Sequence, residues 1–233
     1  MNQVVVLAGG LATRMHPRTL TIPKSMLPVN GRPFVDWQLE KLRDNGFDAC
    51  VFCVGHMAEQ IEAHVGDGAR FGVRVTYAHE GQQRLGTGGA LRAALEHLEP
   101  EFVLTYGDSY LPFDYLAPLG ELRARPDCEV VMSVFHNRNE LEPSNVALRN
   151  GLVARYEKGS KEGGLEFIDY GALALRRRFV EAITPGQSDL SAALGAAVKR
   201  GEVRAVEAHR RFFEVGSHAG LAALEAELEG TKR

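Results

Sequence analysis

Gln3-Val4-Val5-Val6-Leu7-Ala8-Gly9-Gly10-Leu11-Ala12-Thr13-Arg14 is the stretch that decides the fold class. A β-branched apolar run that stops at a glycine pair reads as a buried strand over 3–7 running into a turn. Outward from it, strand, loop and helix alternate. Pro33 opens a helix in which Val35, Leu39 and Leu42 recur at i, i+4 and i+7, closing near Asn45-Gly46. Residues 49–54 then read as strand, 57–65 as helix, 73–77 as strand and 88–98 as helix, with Leu91, Leu95 and Leu98 on one face. A strand over 102–105 and a helical stretch over about 112–123 come next. This alternation predicts an α/β fold with a mostly parallel sheet and helices on both faces.

The second half changes character. Residues 130–135, 146–148, 152–156 and 167–175 are closely spaced strand candidates, with Arg149-Asn150-Gly151 as a hairpin turn. They predict a β-rich insertion that forms a lid or wall on the substrate side. Helices return over 176–183 and 189–200. Strands near Val203 and over 212–215 precede a closing helix that carries Leu221, Leu224 and Leu228. With no repeat or linker, the 233 residues predict a single domain, residues 1–125 handling one part of the substrate and 126–233 the other.

Composition narrows the function. Lys+Arg 27 against Asp+Glu 30 gives a net charge of −3, which argues against general binding to nucleic acid. Mean hydropathy is −0.17 and no apolar run is long enough for a bilayer, so no membrane association is expected. The N-terminus lacks the basic segment and cleavage site of a signal peptide, and three cysteines are an odd number, so a cytoplasmic, reducing location is expected. Cys50-Val51-Phe52-Cys53 spells C-x-x-C inside an apolar run. A strand there sends the two sulfurs to opposite faces and makes them structural. The eight histidines show no zinc-ligand spacing.

The chemistry is concentrated after the first strand. Glycines at that position let backbone N–H groups approach a phosphate closely. Arg14 and Lys24 add charge, the arginine as a planar fork and the lysine as a compact point charge held between Pro23 and Pro28. The spacing is neither G-x-G-x-x-G nor G-x-x-x-x-G-K-[ST]. The whole string, through Ile22-Pro23-Lys24-Ser25-Met26-Leu27-Pro28-Val29, resembles the signature of sugar-1-phosphate nucleotidyltransferases, which make nucleotide-sugars on a Rossmann-like sheet. The resemblance runs nearly the length of the chain. It is similar to the short single-domain members, among them heptose-1-phosphate guanylyltransferases and N-acetylmuramate-1-phosphate uridylyltransferases.

The resemblance implies a set of roles. Leu7, Ala8, Gly9, Gly10 and Thr13 match the phosphate loop, and Gly66 to Val73 with Thr76, Tyr77 and Glu80 look like the segment before the base site. Leu85-Gly86-Thr87-Gly88-Gly89-Ala90-Leu91 looks like the nucleobase loop and helix start. Gln82 or Gln83 is expected to read the base edge, since an amide both donates and accepts. Asp108 matches a Mg²⁺ carboxylate at the end of a strand, with Glu214 as the second. Glu157 and Lys158 resemble the pair that takes sugar hydroxyls and sugar phosphate, and Asn145 and Gly171 fall in the sugar pocket. Three positions depart from the pattern: Ala12 replaces a usual glycine, Glu214 with Gly216-Ser217-His218 replaces Asp with Gly-Thr-Pro, and Ser144-Asn145-Val146 replaces Tyr-Gly-Val.

The activity that the resemblance implies is Mg²⁺-dependent nucleotidyl transfer from a nucleoside triphosphate to a sugar 1-phosphate, with Arg14, Lys24 and Asp108 as the catalytic groups. A catalytically inactive nucleotide-sugar-binding module is the alternative, and retention of Arg14, Lys24 and Asp108 argues against it. A nicotinamide oxidoreductase is excluded by the glycine spacing and by Val54-Gly55-His56 at the second strand's end, where an acidic residue would be needed for the ribose.

Overall fold

The computed structural model describes residues 1–10, 13–81, 85–159, 163–186 and 188–230. In chain order, β1 (Gln3–Leu7) leads through short 3₁₀ turns, one of them Lys24–Met26, to the small ribbon β2 (Pro28–Val29) and β3 (Arg32–Pro33). Then come α1 (Phe34–Asp44), β4 (Ala49–Val54), α2 (Ala58–Val65), β5 (Arg74–His79), α3 (Gly86–Ala93), β6 (Glu101–Tyr106), β7 (Ser109–Tyr110) and α4 (Leu116–Ala124). The second half contributes β8 (Val130–His136), β9 (Val146–Arg149), β10 (Leu152–Tyr156), β11 (Phe167–Arg176), α5 (Arg177–Glu181), α6 (Leu190–Lys199), β12 (Val203–Ala208), β13 (Phe213–Glu214) and α7 (His218–Gly230).

Nine strands form one sheet in the order β5-β4-β1-β6-β11-β8-β12-β10-β9. The α/β class holds, and the parallel part is β5-β4-β1-β6 together with β8-β12. Strand β11 enters antiparallel between β6 and β8, and β10 pairs antiparallel with β12 and β9, so the sheet is mixed rather than mostly parallel. The physical reason lies in the connections: short turns such as the one at Asn150-Gly151 can only join antiparallel neighbours. The β-rich insertion therefore extends the main sheet instead of folding over it as a separate lid.

Burial explains the strand composition. All six residues of β4 are buried, because it has parallel neighbours on both sides and helices on both faces. Val4, Val6, Cys50, Phe52 and Val54 face the layer of α1, α2 and α4, whereas Val5, Val51 and Cys53 face α3, α5 and α6. Cys50 and Cys53 thus point into opposite cores, as the strand period requires, and all three cysteines are free and buried. Burial pushes the Cys53 thiol up to about 12. At pH 8 only roughly one thiolate in ten thousand is then present. Cys50 and Cys53 are expected to stay unmodified by a thiol reagent in the native protein and to react only on unfolding. Rapid labelling of the native chain, or an isolated Cys50–Cys53 disulfide, would contradict this placement.

A third core lies off the sheet. Leu221, Leu224 and Leu228 of α7 pack with Met15, Leu27, Val29, Phe34, Phe213 and Val215. Burying each leucine contributes about 1.5–3 kcal/mol. This cluster clamps the segment carrying Lys24 to the segment carrying Glu214, which is how a C-terminal helix comes to support residues near the N-terminus.

Several element ends differ from the sequence reading. The helix expected over 112–123 starts only at Leu116, where Asp114 accepts a hydrogen bond from the Leu116 N–H at 2.9 Å. The helix expected over 88–98 begins two residues earlier and breaks after Ala93 into a short 3₁₀ turn, Leu95–His97. That over 176–183 shrinks to Arg177–Glu181 because β11 runs through Arg176. Among the described residues no helix is long and apolar enough to cross a membrane.

Candidate active site

The carboxyl ends of the parallel strands open into a cleft of about 580 Å³. Its walls include Leu7, Ala8, Gly9, Gly10, Thr13, Lys24, Gly86, Thr87 and Asp108, all of them expected from the sequence. The crevice beyond the strand ends is where open α/β sheets bind ligands. Two backbone bonds set the floor: Ala8 N–H donates to Cys53 O at 2.9 Å and Gly107 N–H to Leu7 O at 2.8 Å. They carry the β1 ladder one residue past its end on both sides and fix the glycine turn.

Asp108 lies just beyond the end of β6, separated from it by Gly107, and is held from several sides. The amide of Gln38, buried on α1, donates to Tyr106 O at 2.8 Å and to Ser109 O at 3.0 Å, bracketing Gly107-Asp108. Ser109 Oγ donates to Asp108 Oδ1 at 3.3 Å. Lys24 Nζ pairs with Asp108 Oδ2. The lysine is brought there by the turn that Pro23 starts, in which Met26 N–H donates to Pro23 O at 2.9 Å, while Leu27 and Val29 sink into the third core. Gln38 is invisible to motif reading, because a glutamine on an amphipathic helix signals nothing until its partners are known.

Replacing Gln38 by leucine leaves the Tyr106 and Ser109 carbonyls without these bonds. The cost is expected to be about 1–3 kcal/mol of stability. Because the Asp108 loop loosens, kcat should also fall roughly ten- to a hundredfold. A variant with a lowered melting temperature and an unchanged kcat would show that the bracket is structural only.

Glu214 reaches the same place from the far end of the chain. The ribbon of β13 and β7 pairs Glu214 with Ser109, and Val215 N–H donates to Asp108 O at 2.9 Å. A Cβ placed on Gly216 would lie 2.7 Å from Lys24 Nζ and 3.0 Å from Glu214 Oε2, so both side chains crowd the same side of that glycine. Burial raises the Glu214 carboxyl above its usual range and the Asp108 charge adds to the rise, with Lys24 and Arg14 opposing. Arg14 itself is exposed on the 3₁₀ turn Thr13–Met15 and does not line the cleft, but its charge is felt at Glu214.

A second, smaller cleft of about 140 Å³ adjoins the first and shares the wall residue Tyr106. Asn145, Lys158, Gly171 and Glu214 line it, as expected, together with Glu142, Asp169, Tyr170 and Phe212, which the sequence reading does not single out. Lys158 Nζ sits 5.8 Å from the Tyr106 ring centre and 6.0 Å from that of Tyr156. Asp169 lies where β11 bulges away from β8; its carboxylate accepts from Gly171 N–H at 3.0 Å and from Tyr156 OH at 3.2 Å. Burial raises its carboxyl, against the pull of Lys158.

Besides Arg14, one expected residue is placed differently. The Glu157 carboxylate lies outside both cleft walls, one residue past β10, and accepts from Arg155 at 3.0 and 3.2 Å. Thr87 lines the first cleft, yet its hydroxyl also accepts Leu190 N–H at 3.0 Å at the start of α6. Gln82 and Gln83 lie outside the described residues. Further walls of the first cleft carry no individual role from the sequence: Ser25, whose buried hydroxyl has no partner among the described residues, Tyr106 and Gly107; Glu80, from the segment expected before the base site, lines it too.

Two neighbouring carboxylates, one of them raised first by burial and then by the charge of the other, suit a hard divalent cation such as Mg²⁺, which prefers oxygen ligands. Among the described residues no group of three or more His, Cys, Asp or Glu could hold a metal. Mg²⁺ needs only one or two protein carboxylates when phosphates supply the rest.

Comparison with known proteins agrees with this geometry. Residues 4–181 match the model of the MobA-like NTP transferase domain. The UTP–glucose-1-phosphate uridylyltransferase of Synechocystis sp. is 37% identical over 123 residues, 48% of this chain and 32% of that protein. The N-acetylmuramate alpha-1-phosphate uridylyltransferase of Neisseria meningitidis is 33% identical over 126 residues, 54% of each. The chain thus spans between a third and about half the length of these curated relatives. Among solved structures, HddC from Yersinia pseudotuberculosis complexed with GMP-PN superposes with a TM-score of 0.80 at 25% identity, covering 98% of this chain and 100% of that one. With three quarters of its length matched to one family model, and a cleft at the strand ends where nucleotides bind, the chain belongs to the MobA-like NTP transferase domain family.

Proposed function

We propose that the protein transfers a nucleoside monophosphate from a nucleoside triphosphate to a sugar 1-phosphate, releasing pyrophosphate and forming a nucleoside-diphosphate sugar. The observation that carries this reading is the pair of clefts sharing Tyr106, with Lys24, Asp108 and Glu214 gathered where they meet. Residues 1–125 would hold the triphosphate and residues 126–233 the sugar phosphate.

A phosphate monoester has its second pKa near ~6, so the attacking oxygen is already anionic at neutral pH and needs no general base. What the chain must supply is position and positive charge. The glycine turn after β1 offers backbone N–H groups to the triphosphate, and Lys24 offers a point charge to the α-phosphate. Arg14, exposed outside the cleft wall, would have to swing inward to steady the departing pyrophosphate, and Lys158, poised over two aromatic rings, takes the phosphate of the incoming sugar. Asp108 and Glu214 would hold Mg²⁺, which when bound neutralises phosphate oxygens as charge moves to the leaving group. Asn145 and the bulge at Gly171 shape the sugar pocket. Three buried, unpaired thiols suit a cytoplasmic setting, and the ligands are small molecules rather than nucleic acid.

Four triphosphates screened with Mg²⁺ against a panel of sugar 1-phosphates, with pyrophosphate release as readout, test this directly. Release that depends on both substrates is expected. Nucleotide binding without turnover for any pair would favour an inactive binding module.

A further inference from the structure

Among the described residues three carboxylates line the second cleft, and two of them are already engaged. Asp169 accepts from Gly171 N–H at 3.0 Å and from Tyr156 OH at 3.2 Å. Glu214 stands beside Asp108 and Lys24, in the pair that suits a cation. Glu142 is the third, and its carboxylate forms no hydrogen bond or ion pair among the described residues. Glu157, the position that resembles a sugar-hydroxyl ligand, lies outside both walls and turns to Arg155.

The loop between β8 and β9 delivers Glu142. Strand β8 runs in the direction of β1 and β6, because β11 is antiparallel to both β6 and β8, so this loop leaves the sheet at the edge where the clefts open. Asn137, buried at its start, closes it. The Asn137 Nδ2 donates to Glu142 O at 2.6 Å and to Ser144 Oγ at 3.0 Å, and its Oδ1 accepts Leu141 N–H at 3.1 Å. Ser144 is buried too: its hydroxyl accepts Asn139 N–H at 3.1 Å, and its own N–H donates to Asn139 Oδ1 at 2.8 Å. Arg138 and Asn139 have φ of 48° and 62°, a left-handed conformation that these bonds over-determine. Ser144 therefore faces the inside of the loop, which gives Ser144-Asn145-Val146 a physical meaning where the resemblance has Tyr-Gly-Val.

We propose that Glu142 is a specificity-determining residue of the second cleft that accepts hydrogen bonds from hydroxyl groups of the incoming sugar, with Asn137 and Ser144 as positioning residues that act through it. The inference rests on the nucleotidyl-transfer reading above. Lys158 is the only cation among the described wall residues and takes the phosphate, so the sugar ring is left to the acceptors. One carboxylate can accept from two vicinal hydroxyls, and such charge-assisted bonds are the strong ones. Their geometry needs a fixed carrier. A loop already ordered in the free protein removes the entropy of ordering it from each binding event.

Steady-state rates of the full chain, measured against each substrate in turn with the sugar 1-phosphate that the wild type turns over fastest, test the proposal. Glu142→Ala is an exposed change that leaves the core alone. It is expected to raise KM for the sugar 1-phosphate at least ~10-fold, with kcat and the triphosphate KM kept within ~3-fold. Glu142→Gln keeps one acceptor and should fall between. Asn137→Ala should raise the same KM yet add little in a Glu142→Ala background, because both changes remove one contact. Ser144→Ala, which deletes only a hydroxyl, is the milder version of that test should Asn137→Ala fold poorly. A merely structural clasp would lower the melting temperature without this split between the two KM values. An unchanged sugar KM for Glu142→Ala, or a larger rise for Glu157→Ala, would overturn the assignment and leave nucleotidyl transfer in place. A wild type that turns over no sugar 1-phosphate would remove both.

Discussion

Lys24→Ala is expected to lower kcat by about 10²–10³-fold while the chain stays folded. Preorganised charge aimed at a developing transition state is worth that order of magnitude. The fold should survive because the loop is anchored by Leu27 and Val29 in the third core and shaped by Pro23, not by the lysine side chain itself. Loss of Lys24 does leave Asp108 without its ion-pair partner. Nucleotide affinity should change far less than kcat, since the lysine's charge matters most as the α-phosphorus is attacked. Lys24→Arg should rescue poorly, because a planar fork does not replace a compact ammonium in a site this crowded. A near-native rate for Lys24→Ala would remove the lysine from the mechanism.

The second large effect is expected at the carboxylate pair. Asp108→Asn preserves size and the bond from Ser109 but deletes the charge, so turnover should fall by at least ~10²-fold. Glu214→Gln should be milder. Its side chain is held beside Asp108 by β13 and by the Val215–Asp108 bond, and if it shares the cation its loss should raise the Mg²⁺ concentration for half-maximal rate roughly tenfold. An inactive Asp108→Asn together with an unchanged metal requirement for Glu214→Gln would make Asp108 the sole protein ligand. Activity of the wild-type protein that withstands chelation would remove the metal altogether.

Residues whose place at the cleft is written in local spacing are legible in the sequence. Gly9, Gly10 and Lys24 declare themselves through glycines and prolines near a first strand, and Asp108 through the family resemblance, which its place near a strand end supports. The bounds of β1, β4 and β10 follow from apolar runs and from the Asn150-Gly151 turn. Sheet direction is less legible, because parallel and antiparallel pairing differ in who the neighbour is rather than in composition, and β11 crosses from the second half to lie against β6. Long-range partners are the least legible. Gln38 serves the Asp108 loop from α1, and the α7 leucines brace the Lys24 loop from the other end of the chain. Glu157 shows the opposite failure: a motif-like position whose carboxylate turns to Arg155, two residues back at the end of β10, and away from both clefts.

The central claim is that two clefts sharing Tyr106 bring a triphosphate and a sugar phosphate together for direct transfer. Following the α-phosphorus tests it most directly. Triphosphates carrying α-³²P should be incubated with Mg²⁺, the full chain and each sugar 1-phosphate, and the products separated. The account predicts label in a nucleoside-diphosphate sugar, one pyrophosphate released per labelled product, and no reaction when the sugar phosphate is left out. Label released as nucleoside monophosphate at a rate indifferent to sugar 1-phosphate would contradict it, because water rather than the second cleft's ligand would then be the acceptor.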